Sequence, residues 1–381
     1  MFDFQKEERI NRERTKRLAS WYKGRPQGPV QIDVELHKRC NLNCIFCSRH
    51  TIHEKLNRES PKHEMSVERW LGIVTEAKKI DALVFNIEGI NEPPMVPELL
   101  FPFMEKIKEL GMYGIITTNG TLWNSQRLKR IVEIGWDRIH FSVHSPTPKI
   151  HDYLVGMSGA WKRAIQAIKT LNEWKKRFDS QRPMLNINIC VNILNYEKLP
   201  EMVELAHRLE ADYIFTEPLM VFSDEGRKLK LSKNDQTNLS SILKIARKLS
   251  EKYGIDNNFA TEDKNLEKEI VESASKMQPL LLADVQASDD GLISAPCFKP
   301  WDRIAIRYTG LTGHCGFIEE GEDVKEKNLK EIWYGEFFQT VRKRMINKQL
   351  FPHCSKCVPS DLTQRRRFRR ELIRAIRGDV H

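Results

Sequence analysis

Cys40-Asn41-Leu42-Asn43-Cys44-Ile45-Phe46-Cys47 lies just after a β-like run at residues 30–36. The CX3CX2C spacing brings three thiols onto one short loop. Such a loop holds three irons of a [4Fe–4S] cluster through thiolates and leaves the fourth iron without a protein ligand. An iron open in this way can bind a small molecule and pass it an electron. A structural zinc loop is the competing reading, kept open by His37 and His50 on either side. Three cysteines with no fourth ligand close by fit zinc poorly.

Outward from the loop, the chain alternates short β-like runs with amphipathic stretches from residue 30 to about 220. Strands are expected at 30–36, 82–87, 114–118, 138–144, 185–193 and 213–216. Helices are expected between them at 67–79, 98–110, 124–133, 160–177 and 199–209. This repetition implies right-handed crossovers and a parallel sheet, an α/β fold. Periodicity alone does not separate a barrel from a doubly wound sheet.

The cysteine spacing, with the aromatic Phe46 just before the last cysteine, resembles the radical S-adenosylmethionine (SAM) superfamily. The resemblance implies a partial (β/α)6 TIM-like barrel. It implies that the open iron chelates the amino and carboxylate groups of SAM. One electron from an external reductant of ferredoxin or flavodoxin type then cleaves SAM to methionine and a 5′-deoxyadenosyl radical, the cofactor carrying the hard chemistry. Phe46 is expected to contact the cofactor.

Further motifs carry the same resemblance. Glu88-Gly89-Ile90-Asn91-Glu92-Pro93 is similar to the family's GGEP motif, with Asn91 where a second glycine is usual, and it implies Glu92 on the SAM amino group. Thr117-Thr118-Asn119-Gly120 is similar to a TNG turn, read as structural because glycine accepts φ > 0. Ser142 is expected near the SAM ribose or carboxylate. Asn188 precedes Asn195 by seven residues, the spacing of relatives with an asparagine on SAM.

In the fifth strand Asn186, Asn188, Cys190 and Asn192 alternate with Ile187, Ile189, Val191 and Ile193. A period of two puts the aliphatic residues on one face and the four polar ones on the other. Helices wrapped around a barrel cover the aliphatic face, so the polar face lines the lumen. Cys190 is then a candidate hydrogen-atom donor to a substrate radical, against the blander reading of a small buried apolar group. Asp33, Glu35 and His37 on the first strand are expected to face the same space.

The remaining paired cysteines are Cys297, Cys315, Cys354 and Cys357. Twelve residues separate Cys297 from Gly310, four more lead to Cys315, and 38 separate it from Cys354-Ser355-Lys356-Cys357. Four thiolates saturate one cluster or one zinc, and spacing does not choose between them. The CX9–15GX4C segment followed by CX2C resembles the SPASM/twitch extension of radical SAM enzymes. No cysteine follows Cys357, so the resemblance implies one auxiliary, fully cysteine-ligated [4Fe–4S] cluster in a shortened domain. Two clusters and SAM are the expected cofactors.

Expected divisions are a charged helical extension at 1–29, the radical SAM core at 30–222, a helical bridging insert at 223–285, the small α+β cluster domain at 286–360 and a basic tail at 361–381. The first 25 residues are crowded with charge and hold no apolar segment, so no secretory signal is expected there. No run approaches the roughly 18 apolar residues of a membrane span. Seven of the eight cysteines sit at metal-ligand spacings, so a reducing cytoplasm is expected.

The net charge of +10 suits a phosphorylated or nucleotidyl substrate. The arginines from Arg365 onward read as a solvated helical tail or a contact for an anionic partner. Aromatic stacking platforms are lacking, which argues against nucleic acid. The leading expectation is a radical SAM oxidoreductase that dehydrogenates a small sugar, cyclitol or nucleotide-linked molecule. The alternatives are epimerisation through Cys190 and modification of a ribosomal peptide. Against the last, only about 30 residues precede the first strand.

Overall fold

The computed structural model describes residues 2–48, 64–259, 281–282, 291–317 and 320–377. His50 and much of the expected bridging insert lie outside these. Six parallel strands carry the core: β1 (Gln31–Val34), β2 (Val84–Ile87), β3 (Tyr113–Thr118), β4 (Arg138–Ser142), β5 (Met184–Val191) and β6 (Tyr213–Pro218). The expected strands are all present, shifted at their ends by a residue or two.

The sheet is wider than the sequence pattern indicates. A two-residue strand β7 (Asp256–Asn257) adds beside β6, and β8 (Arg303–Ile306) adds in parallel beside β1. A short β9 (Thr312–Gly313) then pairs antiparallel with β8. The order β7-β6-β5-β4-β3-β2-β1-β8-β9 is that of a partial barrel whose first strand is flanked by the C-terminal segment.

Helices pack the outer face. After α1 (Phe2–Tyr22) come α2 (Val67–Lys79), α3 (Pro97–Glu109), α4 (Ser125–Glu133), α5 (Pro148–Val155), α6 (Ala160–Arg177) and α7 (Leu199–Arg208). Buried Trp70, Phe103, Ile131 and Ile168 meet Phe85, Ile139 and Ile187 of the strands in one continuous core. This is why Ile187 and Ile189 of β5 are almost fully buried, on the face expected to be covered. The insert supplies the short α8 (Asp224–Arg227) and α9 (Lys233–Tyr253), which starts at a Ser232/Asp235 capping box.

The C-terminal segment supplies α10 (Lys299–Asp302), α11 (Leu329–Tyr334), α12 (Glu336–Ile346) and α13 (Pro359–Arg377). The basic tail is therefore not simply solvated. Phe368 and Leu372 of α13 are buried with Leu18 of α1 and Trp301. Arg365 donates to Pro296 O, and Arg369 donates to Ile293 O at 2.8 Å and Ala295 O at 2.7 Å. These arginines satisfy carbonyls of the segment entering the cysteine-rich region, a job composition does not reveal. No described helix is long and apolar enough to cross a membrane.

Candidate active site

The three-cysteine loop leaves the C-terminal end of β1 and is braced from several sides. Asn43 N and Ile45 N donate to Val155 O and Leu154 O at the end of α5, both at 3.1 Å. Asn41 Nδ2 donates to Thr121 Oγ1 at 2.8 Å, while Asn119 Nδ2 donates to Asn41 Oδ1 at 3.0 Å. The Thr-Asn-Gly turn thus positions the loop. Gly120 has φ +80°, and a Cβ there would lie 2.8 Å from the Phe141 ring, so only glycine closes the turn.

Cys40, Cys44 and Cys47 are half-buried and near one another. Burial pushes the Cys44 thiol well above its ordinary value, and Cys47 and Cys40 add to the shift. Crowded thiols that resist ionising alone suit a cation that would hold all three as thiolates. In the second-strand motif, both polar side-chain atoms of Asn91 are buried without a hydrogen-bond partner among the described residues. An amide left orphaned next to Glu92, whose N–H reaches the residue before Cys40, fits a polar ligand such as the amino-acid end of SAM.

Glu92 is 1% exposed. Its carboxylate accepts the Thr118 hydroxyl and, at 2.8 Å, the Asn119 amide, while its own N–H donates to Arg39 O at 2.8 Å. Burial raises its pKa to about 7 despite these donors. Glu92 therefore ties the second-strand motif to the third-strand turn and to the residue before Cys40. Each carboxylate oxygen keeps a lone pair for a second donor.

Phe46 packs edge-on to His144, ring centroids 5.0 Å apart. Ser142 lies beside Asn188 in the β4–β5 register. Cys190 N donates to His144 Nδ1 at 3.2 Å, and the Cys190 side chain packs in one apolar group with Ile45 and Phe46 of the loop. Burial pushes the Cys190 thiol up to about 12, with Glu217 and Cys47 adding to it.

Asn186 and Asn188 line the lumen as the strand period requires, and both have a buried Oδ1 without a partner among the described residues. Cys190 and Asn192, expected beside them, do not line this cavity, whereas Val191, expected on the covered face, does. The strand ends at Val191, and Asn192, fully buried, turns its amide back to Cys190 O at 2.9 Å. Asn195 likewise spends its amide on His144 O at 2.7 Å and Cys190 O at 2.9 Å.

The lumen is a cavity of about 1040 Å3 reaching from Cys47 to Glu217, Lys299 and Asp361. Asp33 and Glu35 line it as expected, whereas His37 is buried with its ring 3.4 Å from Pro93 O. Glu217 accepts Ser360 N at 3.2 Å, and burial raises its pKa to about 7. His140 also faces the cavity, its Nε2 without a partner among the described residues. A β-strand period could have flagged His140, which alternates with Ile139 and Phe141; Glu217 needed the fold.

Cys297, Cys315, Cys354 and Cys357 all line one small cavity of about 50 Å3. Burial pushes the Cys354 thiol up to about 12, and Cys297 and Cys315 add to it. Four converging thiols that raise one another fit a fully thiolate-ligated centre. His314 and His353, each directly before a cysteine, bring ring nitrogens within 4.8 Å of one another and of Cys315 Sγ. The His-Cys pairs are visible in sequence as a repeated signal beside the cysteine spacing.

Residues 34–206 match the radical SAM superfamily, and residues 297–358 match an iron–sulfur cluster-binding domain of SPASM type. The chain is 23% identical over 316 residues to the PqqA peptide cyclase of Rhizobium meliloti, covering 80% of this chain and 74% of that one. It is 25% identical over 334 residues to the tungsten-containing aldehyde ferredoxin oxidoreductase cofactor-modifying protein of Pyrococcus furiosus, covering 85% and 86%. Streptococcus suis SuiB bound to S-adenosylmethionine superposes with a TM-score of 0.61 at 19% identity, over 83% of this chain and 68% of that one.

Proposed function

This chain belongs to the radical SAM superfamily and carries a SPASM-type cluster domain behind its core, and from that premise we propose that it modifies a peptide. Bound SAM and its cluster supply hydrogen-atom abstraction from carbon, and the second cluster supplies a site for an electron. Cys40, Cys44 and Cys47 would hold the first cluster, and Cys297, Cys315, Cys354 and Cys357 the second. Asn91 and Glu92 would take the amino-acid end of SAM, with Phe46, Ser142 and Asn188 around the rest of it.

The observation that carries the peptide reading is the similarity to a peptide cyclase along four-fifths of the chain. It favours a peptide over the small hydroxylated molecule expected from the sequence. The orphaned oxygens of Asn186 and Asn188 can accept main-chain N–H groups of an extended segment.

The test is anaerobic incubation of the reconstituted enzyme with SAM, a reductant and either a peptide library or a panel of polyols and sugar phosphates. Peptides should stimulate 5′-deoxyadenosine formation and change in mass. Stimulation by polyols alone would overturn the reading.

Epimerisation within a peptide has one specific observation in its favour, the protonated Cys190 thiol packed beside the first loop. An S–H there can return a hydrogen atom to a carbon radical. In D2O the product should take up one deuteron, and Cys190→Ala should abolish that uptake while deoxyadenosine still forms. Deuterium uptake unchanged in the variant would remove Cys190 from the chemistry.

Glu92→Gln keeps the shape that Thr118 and Asn119 bind and removes the charge facing an ammonium. A charge-assisted hydrogen bond contributes about 1.5–3 kcal/mol, so SAM should bind roughly tenfold to more than a hundredfold more weakly. Calorimetric titration of the cluster-loaded variant measures this, and unchanged iron content separates lost binding from a collapsed loop.

A further inference from the structure

Two cations, Lys299 and Arg303, stand in the wall between the four-cysteine cavity and the barrel cavity and line both. Lys299 follows Cys297 by two residues and opens α10. It lines the small cavity of the four cysteines and also the large cavity of the barrel. Its Nζ lies 2.5 Å from Asp361 Oδ2, with both side chains about four-fifths buried (20% and 18% exposed). Asp361 in turn lies 3.8 Å from Cys357 Sγ.

The neighbouring cation is committed elsewhere. Arg303 is paired with Asp302 at 3.2 Å and Asp33 at 3.4 Å. Arg365 also lines the four-cysteine cavity, where it donates to Pro296 O, but it does not line the barrel cavity, whereas Lys299 lines both.

We propose that Lys299 is a positioning residue for electron transfer, its ammonium holding the reduction potential of the second cluster up from the side that faces the substrate cavity. A cluster in four thiolates already carries negative charge, and reduction adds one more. A cation fixed against it in a poorly solvated wall stabilises the reduced form more than the oxidised form. The charge is balanced by Asp361, so removing Lys299 also leaves that carboxylate uncompensated beside Cys357. Both effects lower the potential. The inference rests on the cluster at the four cysteines and is independent of whether the substrate is a peptide.

The experiment is a reductive titration of the reconstituted full chain followed by electron paramagnetic resonance. The signal that does not change on adding SAM belongs to the second cluster. Lys299→Met should make that cluster at least tenfold harder to reduce, a midpoint about 59 mV more negative for one electron. Lys299→Arg, which keeps the charge, should stay near the wild type. A Lys299→Met midpoint equal to the wild type, with iron content intact, overturns the proposal. If Lys299→Met fails to hold its iron, Asp361→Asn decides: a midpoint shifted upward supports the electrostatic role, and an unshifted one defeats it.

Discussion

Replacing Cys40, Cys44 and Cys47 together with alanine removes about half of the iron, from about eight atoms per chain to about four, and all reductant-dependent formation of 5′-deoxyadenosine. The two cysteine sets are structurally separate, so the loss at one leaves the other. The first loop hangs from α5 and the Thr-Asn-Gly turn through Asn41, Asn43 and Ile45, none of which is a cysteine. The four cysteines of the second set converge on their own cavity. Iron and sulfide analysis with chromatography of the nucleoside product gives both readouts on one sample. Loss of all iron would mean that the loop organises the whole molecule. Persistent deoxyadenosine would mean that SAM is cleaved elsewhere.

Asp302→Ala should cost about 3–5 kcal/mol of stability, the scale for stripping one partner from a buried ion pair. Asp302 is 1% exposed; its Oδ1 lies 2.5 Å from Arg14 Nε, and its Oδ2 lies 3.2 Å from Arg303 Nη2. Arg14 also reaches Gln31 at 3.2 Å, so one carboxylate joins α1, β1 and β8. Burial opposes the charge, but Arg14 and Arg303 outweigh it and hold the carboxyl below its ordinary pKa. Its contribution is therefore present above the unfolded carboxyl pKa of about 3.9 and is lost as pH falls through the depressed folded value. Urea unfolding of the variant at neutral pH measures the loss. The double variant Arg14→Met/Asp302→Leu should recover most of it, because no charge is left buried alone. A single variant as stable as the wild type would show that water reaches this junction.

How much of this was readable beforehand depended on how local the cause was. Helices Val67–Lys79 and Ala160–Arg177 matched their expected limits because a complete amphipathic face and its ends lie within one stretch. The β5 alternation correctly assigned Ile187, Ile189, Asn186 and Asn188, and failed from Cys190 onward, where Val191 lines the cavity instead, the strand stops and the Asn192 amide takes over a backbone carbonyl. Both cysteine sets were legible because metal spacing is a chain-local signal. The helix Pro148–Val155, only eight residues long, was too short for a periodic pattern, yet it braces the first loop. Strand β7, at two residues, carries no period at all. The placement of Arg365 and Arg369 depends on carbonyls some 70 residues earlier, which composition does not encode.

The pairing of β8 with β1 sets an order of events during synthesis. Asp33 and Arg303 are 270 positions apart, and the strands that carry them lie side by side. At about 5–20 residues per second, β1 leaves the ribosome on the order of tens of seconds before its second neighbour exists. Through that interval the nascent barrel presents one bare strand edge, the template on which foreign strands add. The cysteine-rich segment thus closes the growing sheet as well as housing a cluster. A polypeptide released before residue 303 would lack both the cluster's cage and the cap on its own aggregation.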